Sequence, residues 1–511
     1  MLRRELIQGL LALAAWPATR AAAATGDAPE PGLQLGEGTP FAPADVGALA
    51  RRMASEPYQP PTRIPEAWTE ISYDQYRKIW FDARNALWEG EADTPVRVDV
   101  FAPGLYFPTP IRLDVVESGE ARPVLFDMGV FDKTDQFPDL PVDDTLGYSG
   151  FRLRAELERQ DIYTEFAVFQ GASYFRGIGT GQTYGLSARG IAIDTAAPGG
   201  EEFPEFRHFW LERPATGSDR IVVHALLDGP SVTGAYRFEI VPGDTLEIGV
   251  EAEVFARQRI THMGVAPLTS MFQFDETNRD RFSDFRSAIH DSDGLLIENG
   301  GGETIWRPLA NPRNLQISGF LDENPKGFGL MQRARDFEDF GDLQALYHRR
   351  PSLWIAPREG WGAGEVTLVE IPTDDEIYDN IVAYWRPALP LEPGQSRTFS
   401  YDMTWGARTE YGTGLAVANT RAGADRGGGI RFAIDFAPDA GMTPAREQIT
   451  PLVRASEGTI IAPIIEDNPQ TGGLRLGFTL DPGDATLVEM RAQLRAEDGP
   501  LSEVWLYRWT R

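Results

Sequence analysis

A chain of 511 residues, 42% hydrophobic and 11% aromatic, is long enough for two or three domains with sizeable cores and too apolar to stay disordered. Its formal charge of −28 argues against nucleic acid or an anionic membrane surface as partner, since both repel an acidic protein. Cysteine is absent, which removes disulfides, thiolate metal sites and cysteine nucleophiles.

At the N-terminus Arg3 and Arg4 precede a mild apolar run, Leu10 to Trp16, and Ala21 to Ala24 offers an A-x-A cleavage site. Residues 1–24 therefore read as an export signal. The paired arginines, with Arg20 near the cut, fit the twin-arginine route. The apolar run is too short to span a bilayer, and no later segment offers about 18 consecutive apolar residues. The expectation is a periplasmic protein with no stable membrane insertion after cleavage. Residues 25–40 are rich in Gly, Pro and acids without periodicity and read as a mobile leader.

From Pro43 to Ser55 the spacing of Val46, Leu49 and Met53 predicts a short amphipathic helix. The period then changes to two. Arg97–Phe101, Ile111–Val115 and Val124–Phe126 read as short strands between Gly and Pro punctuation. The clearest hairpin pairs Ala235–Ile240 with Thr245–Val254 across Pro242, Gly243 and Asp244. Leu246, Ile248, Val250, Ala252 and Val254 share one face of it, and Glu247, Glu251 and Glu253 share the other. The only other helix expected is Asp342–Arg349, ahead of Pro351. The fold class is all-β: a large sandwich over residues 41–411, a Gly-rich linker at 412–429, and an immunoglobulin-like sandwich over 430–511, where Ile430–Phe436, Leu474–Phe478, Leu487–Leu494 and Val504–Trp509 alternate.

Several chemistries are set aside by spacing. Gly177-Ile-Gly179-Thr-Gly181 lacks the surrounding βαβ unit of a dinucleotide loop and reads as a tight hairpin or a backbone approach to ligand. His208, His224, His262, His290 and His348 include no H-x-x-x-H pair, so no metal and no cofactor are expected. No Ser sits in G-x-S-x-G. What stands out is Glu370 to Arg386, which sets Asp374, Asp375, Glu376 and Asp379 beside Asn380, Tyr384, Trp385 and Arg386. Acids and flat rings together are what a sugar-cleaving cleft needs, because one carboxylic acid protonates the leaving oxygen while a base activates the attacking group. The ordinary alternative is a solvated acidic turn running into a buried strand. Similar clusters lie at His290-Asp291-Ser292-Asp293, at Gln332 to Asp336 and at Tyr347 to Trp354; Trp306, Trp354, Trp361, Trp385, Trp405 and Trp210 could line one groove or fill the core.

The strings SYDQYRKIWF (72–81), SYFRGIGTGQTYGLSARGIAID (173–194), HDSDGL (290–295), ETIWRPL (303–309), YHRRPSLW (347–354) and EIPTDDEIYDNIVAYWRP (370–387) resemble those of the periplasmic glucan biosynthesis proteins, the MdoG/OpgG and MdoD/OpgD group. The resemblance runs over essentially the whole mature chain, and the twin-arginine signal inclines it to the D-type. It implies a galactose-mutarotase-like sandwich (a supersandwich) followed by an immunoglobulin-like domain. It further implies an inverting endo-β-1,2-glucanase of osmoregulated periplasmic glucan synthesis. By motif, Asp379 would be the general acid and Asp291 the general base, with Tyr347 and Ser292 in a proton relay. Trp306, Arg307, Arg333, Trp354, Tyr384 and Trp385 would bind β-1,2-glucan, with Gly179, Thr180 and Gln182 contributing from a neighbouring loop. The inner-membrane glucan synthesis machinery is the partner in that reading. Two alternatives stay open: a transglycosylase making cyclic or branched glucan, and a non-catalytic glucan-binding assembly factor.

Overall fold

The computed structural model describes residues 32–409, 411–438 and 446–511. The export signal and the start of the leader, residues 1–31, lie outside them. The chain folds as two compact units: residues up to Pro267 together with Arg386–Gly406, and Leu268–Trp385 together with Ala407–Arg511. Both are built from strands, as the period-two patterning requires.

In the first unit one sheet runs in the order Thr39–Pro40, Glu120–Pro123, Arg112–Glu117, Glu205–Glu212, Ile221–Asp228, Val232–Val241, Leu246–Ala256 and Ser396–Gly406. A second sheet carries Val96–Phe101, Gly150–Ala155, Thr164–Gln170, Tyr174–Gly177 and Ser187–Arg189. Rings from the two sheets meet edge to face, Phe151 on Phe209 at 5.0 Å and Phe175 on Phe238 at 5.3 Å, so the core lies between them. The predicted hairpin forms in register, Ile240 opposite Ile248 and Tyr236 opposite Ala252, with Leu246, Ile248 and Val250 fully buried and Glu247 and Glu251 exposed. The predicted helix forms as Ala44–Ala54. It lays Val46 and Ala50 on Trp210, Leu226 and Phe255, on the side of the sheet away from the phenylalanines. Trp210 is thereby covered, and stacks on His208 at 3.6 Å.

Two local expectations change here. Val124 to Phe126 is not a strand; Glu120–Pro123 takes the pairing with Arg112–Glu117, and Val124 bridges Leu35 and donates its N–H to the Leu113 carbonyl at 2.8 Å. In the described part of the leader Leu33 is buried with its N–H on the Asn85 carbonyl, and Thr39–Pro40 pairs with Glu120 and Ala121.

In the second unit the strands Ser352–Pro357, Gly327–Met331, Gly294–Glu298, Thr304–Pro308, Val504–Thr510, Leu487–Ala496 and Thr450–Ala455 form one sheet. A four-stranded sheet, Val417–Ala424, Ile430–Phe436, Gly473–Asp481 and Thr459–Asn468, contributes to the same core as strands of the first, with Phe432, Phe478 and Trp505 beside Leu296, Trp306, Met331 and Trp354. The strands beyond 430 therefore share a core with residues near 300 and 350. The parallel pairing of Trp306 with Trp505 joins them covalently distant but side by side. The stretch read as a linker holds the strand Val417–Ala424, paired antiparallel with Ile430–Phe436.

The expected helix over 342–349 is also replaced. The helix Phe337–Phe340 ends at Gly341, which adopts the left-handed φ of 69°. Asp342 then accepts the N–H groups of Gln344 and Ala345 at 2.7 and 2.8 Å, a side-chain turn that competes with helix. Only Tyr347–Arg349 closes a single 3₁₀ turn.

Beyond the strand Phe272–Phe274, Asp275 is buried and accepts the N–H and hydroxyl of Thr277 at 2.7 and 2.6 Å. Burial pushes its carboxyl up to about 7, with the charge of Glu276 adding and the Thr277 hydrogen bonds opposing. A raised acid holds its proton in the folded chain after the unfolded chain has lost it near 3.8, so this contribution is complete below pH 4 and is lost as pH rises through about 7. Asp275→Asn keeps the acceptor and cannot ionise. Between pH 4 and pH 8 it should lose less stability than the wild type, by on the order of 2 to 4 kcal/mol. Urea midpoints at the two pH values check this, and equal losses in both proteins would sink it.

Candidate functional site

Within the second unit, the segment Ser270-Met271-Phe272 is buried, and two acidic stretches fasten to it. The Asp291 N–H donates to the Met271 carbonyl at 2.8 Å, and the Ser292 and Ser270 hydroxyls lie 2.9 Å apart. On the other stretch the Asn380 N–H donates to the Ser270 carbonyl at 3.0 Å. The Asn380 side chain accepts the Phe272 N–H at 2.8 Å and donates to the carbonyls of Phe272 and Ile371 at 2.9 and 3.0 Å. One short segment thus carries both candidate acids: Asp291 directly, Asp379 through its neighbour. Asp291 is fully buried and Asp379 is 4% exposed.

Around Asp291 the polar groups are tightly specified. Arg350 donates to its Oδ1 and lies over the Tyr347 ring at 4.2 Å. The Tyr347 hydroxyl donates to Glu376 Oε2 at 2.9 Å, and Arg286 donates to the same oxygen at 2.7 Å and to Asp342 at 2.8 Å. Burial raises the Tyr347 hydroxyl far above its ordinary value, with Arg350 opposing, so Tyr347 is neutral and acts as a donor. Its turn is entered through Leu346 at a φ of 49°, a strained setting for a branched side chain. Beneath, Met271, Phe274, Ile289, Phe340 and Tyr347 form an apolar floor.

His290 is buried against Phe272 and Phe340, and burial lowers its imidazole to about 4, with the Gln332 hydrogen bond opposing. Gln332 Nε2 donates to the carbonyls of His290 and Tyr347, so its Oε1 is the acceptor for His290 Nδ1 at 2.9 Å and that nitrogen carries the proton. Asp293 Oδ2 accepts the N–H groups of Arg333 and Ala334 at 2.8 and 3.0 Å, and burial pushes its carboxyl up to about 6. The 372–376 loop is pinned by Asn311, which donates to the Thr373 carbonyl at 2.7 Å and accepts its N–H at 3.0 Å, and by Gln273, which donates to the Asp374 carbonyl at 3.0 Å.

The expected binding residues fare differently. Trp306 is in the core of the second unit, with the Arg333 guanidinium over its ring at 3.7 Å. Arg333 forks onto Glu503 at 2.7 and 2.9 Å, and Arg307 pairs with the fully buried Glu370 at 3.1 Å. Trp354 stacks on Tyr411 at 4.3 Å and 9°. Each of these four side chains is thus engaged by another protein group in this structure. Tyr384 and Trp385 are fully buried on the strand Ile381–Pro387. Gly179, Thr180 and Gln182 belong to the first unit. There the Thr180 N–H meets the Gly243 carbonyl at 3.0 Å and Gln182 accepts the Gly179 N–H at 2.9 Å, while a Cβ on Gly179 would collide with the Asp244 carbonyl. The loop backbone closely approaches the hairpin turn at Gly243 and Asp244.

Sequence reading named Glu376 only as one of the acids of the 370–386 stretch and assigned no role to Arg350, Arg286 or Ser270. The available signals were position alone: Arg350 follows Tyr347 by one turn, and Glu376 precedes Asp379 by three residues. Among the described residues no cluster of three or more His, Asp or Glu could hold a metal, and no helix is long and apolar enough to cross a membrane.

Comparison with known proteins bears on these features as a set. The family model described as "Periplasmic glucan biosynthesis protein, MdoG" matches residues 41–509. A glucans biosynthesis protein G of Vibrio cholerae is 46% identical over 473 residues, covering 91% of this chain and 86% of its own. One from Rhodopseudomonas palustris is 43% identical over 516 residues with full coverage of both chains, and one from Shewanella frigidimarina is 46% identical over 472 residues, covering 91% of this chain and 84% of its own. These relatives carry the G designation, so the inclination to the D-type drawn from the signal sequence is not supported. The chain belongs to the MdoG family of periplasmic glucan biosynthesis proteins.

Proposed function

We propose that this protein works in periplasmic glucan biosynthesis by cleaving β-1,2-glucan with inversion, Asp379 acting as general acid and Asp291 as general base. The observation that carries the reading is the shared anchorage of two buried acids on Ser270–Phe272. In such a reaction the acid gives its proton to the glycosidic oxygen while the base side takes one from water on the opposite face; the carboxyls of an inverting pair usually stand roughly 6.5 to 9.5 Å apart. Asp379 must therefore arrive protonated and Asp291 ionised. Arg350 supplies Asp291 with a counter-charge.

A relay through Tyr347 is supported by its hydrogen bond to Glu376. In that relay the phenol would take a proton from the water side and give its own on toward Asp291; in the resting site Glu376 Oε2, 2.9 Å away, holds the hydroxyl in place. The family's periplasmic description agrees with export, for which Arg3 and Arg4 propose the twin-arginine route, and with work beside the inner-membrane glucan machinery.

Mature protein and its Asp379→Asn form, incubated with linear β-1,2-glucan and followed by mass spectrometry, test the proposal. New linear oligosaccharides are expected from the wild type, with the rate reduced by about 10²- to 10⁴-fold in the variant. Products lighter by one water than linear oligomers would assign cyclisation instead. Binding without turnover by the wild type would make the protein an assembly factor.

The structural assignment of Arg333 predicts a separate outcome. Glu503→Ala leaves a buried guanidinium unpaired and should cost about 3 to 5 kcal/mol in urea unfolding, with KM for glucan unchanged in the folded fraction. A raised KM at unaltered stability would return Arg333 to the substrate.

A further inference from the structure

The second unit holds a cavity of about 460 Å³ that the glucanase reading does not use. It lies on the sheet face opposite Trp306 and Trp505, and Arg307, Arg454, Arg491, Arg508, Ser318 and Ser456 line it. Register explains why the arginines converge. The parallel pairing of Trp306 with Trp505 sets Arg307 beside Leu506; Leu506 is opposite Arg491, and Arg491 is directly opposite Arg454. One row across four strands therefore reads Arg, Leu, Arg, Arg, with backbones about 4.8 Å apart. In the adjacent row Arg508 is opposite Glu489.

The charges around this cavity do not balance. Glu370 holds Arg307, Glu303 holds Arg491 and Glu489 holds Arg508. Among the described residues Arg454 has no acidic partner. Like charges directly opposite on neighbouring strands destabilise a sheet, and here two guanidiniums are so placed in a chain whose formal charge is −28. Guanidinium groups present forked donors that match the paired oxygens of a phosphate or a carboxylate, and the cavity is within the ordinary size of sites for small organic ligands.

We propose that this cavity is a binding site for an oxyanion of the phosphate or carboxylate class, gripped between Arg454 and Arg491 with the Arg508 edge and the Ser318 and Ser456 side walls around it. The site is separate from Asp291 and Asp379, so its failure and that of the glucanase reading are distinguishable.

The test is calorimetric titration of the full mature chain with inorganic phosphate and, in a second arm, with acetate, both at constant ionic strength. Saturable binding of one equivalent is expected from at least one probe, and the stronger arm assigns the anion class. Arg454→Gln should weaken that binding by about tenfold or more, and Arg454→Gln with Arg491→Gln should abolish it, while glucan turnover stays at the wild-type rate. Arg454 is exposed and unpaired, so the single variant tests the site even where the double one fails to fold. Absence of saturable binding by the wild type to either probe, or an unchanged constant in Arg454→Gln, would overturn the proposal.

Discussion

Everything at the candidate centre depends on one requirement: the buried backbone of Ser270–Phe272 must find hydrogen-bond partners away from water. Asn380 meets it as a neighbouring strand would, accepting the Phe272 N–H and donating to the Phe272 carbonyl with the same side chain. A primary amide offers both functions side by side, as a peptide group does. An aspartate there would face the Phe272 carbonyl with a second acceptor, leaving a buried oxygen without its donor. The position of Asp379 is thus a by-product of satisfying Phe272, and Asp291 is held to the same segment by the main chain alone. Two acids far apart in sequence are fixed by a structural need that neither shares.

Burial then decides which groups carry charge. His290, with its imidazole lowered to about 4, is a neutral donor through Nδ1, and its role is to hold Gln332, which in turn grips the carbonyl of Tyr347. Tyr347 is thereby oriented from both ends, by Gln332 at its backbone and Glu376 at its hydroxyl. Two aspartates one residue apart receive opposite treatment. Asp291 is given a guanidinium, whereas Asp293 receives two backbone N–H groups and a carboxyl pushed up to about 6. The four-residue string by itself offers no way to rank them; only the family resemblance singled out Asp291.

The sheets were legible and the site was legible only as strings. Alternation over 235–254 fixed strand, face and turn, since a one-residue slip would expose Ile248 and bury Glu247. The helix Ala44–Ala54 was equally plain from Val46, Leu49 and Met53. Asp342–Arg349 failed because the hydrogen bonds of an Asp side chain and the left-handed residues Gly341 and Leu346 outweighed a helical pattern too short to nucleate. The 412–429 stretch failed for the converse reason. Glycine content suggests a linker, but Val417, buried and fully covered, gives its segment a place in the core.

Trp306, Arg307, Arg333 and Trp354 expose a deeper ambiguity. An aromatic face and a guanidinium fork are what a glucan-binding cleft requires, and they are equally what a large β-protein uses to lock sheets together. Composition cannot separate the two uses. Arg333 stacks on Trp306 and forks onto Glu503, and Glu503 also accepts the Val417 N–H at 2.8 Å, so one ion pair ties the Gln332–Asp336 stretch to the strand Val417–Ala424. A pair of this kind gains little net stability over apolar packing, yet breaking it is costly, which makes it a device for register more than for strength. The same device appears where Glu370 receives Arg307 and also the Ala310 N–H at 2.8 Å, fixing the end of the strand from which the 372–379 loop departs. Arg307 and Arg333 are thus engaged at the roots of these loops, and Asp379 lies at the far end of one of them.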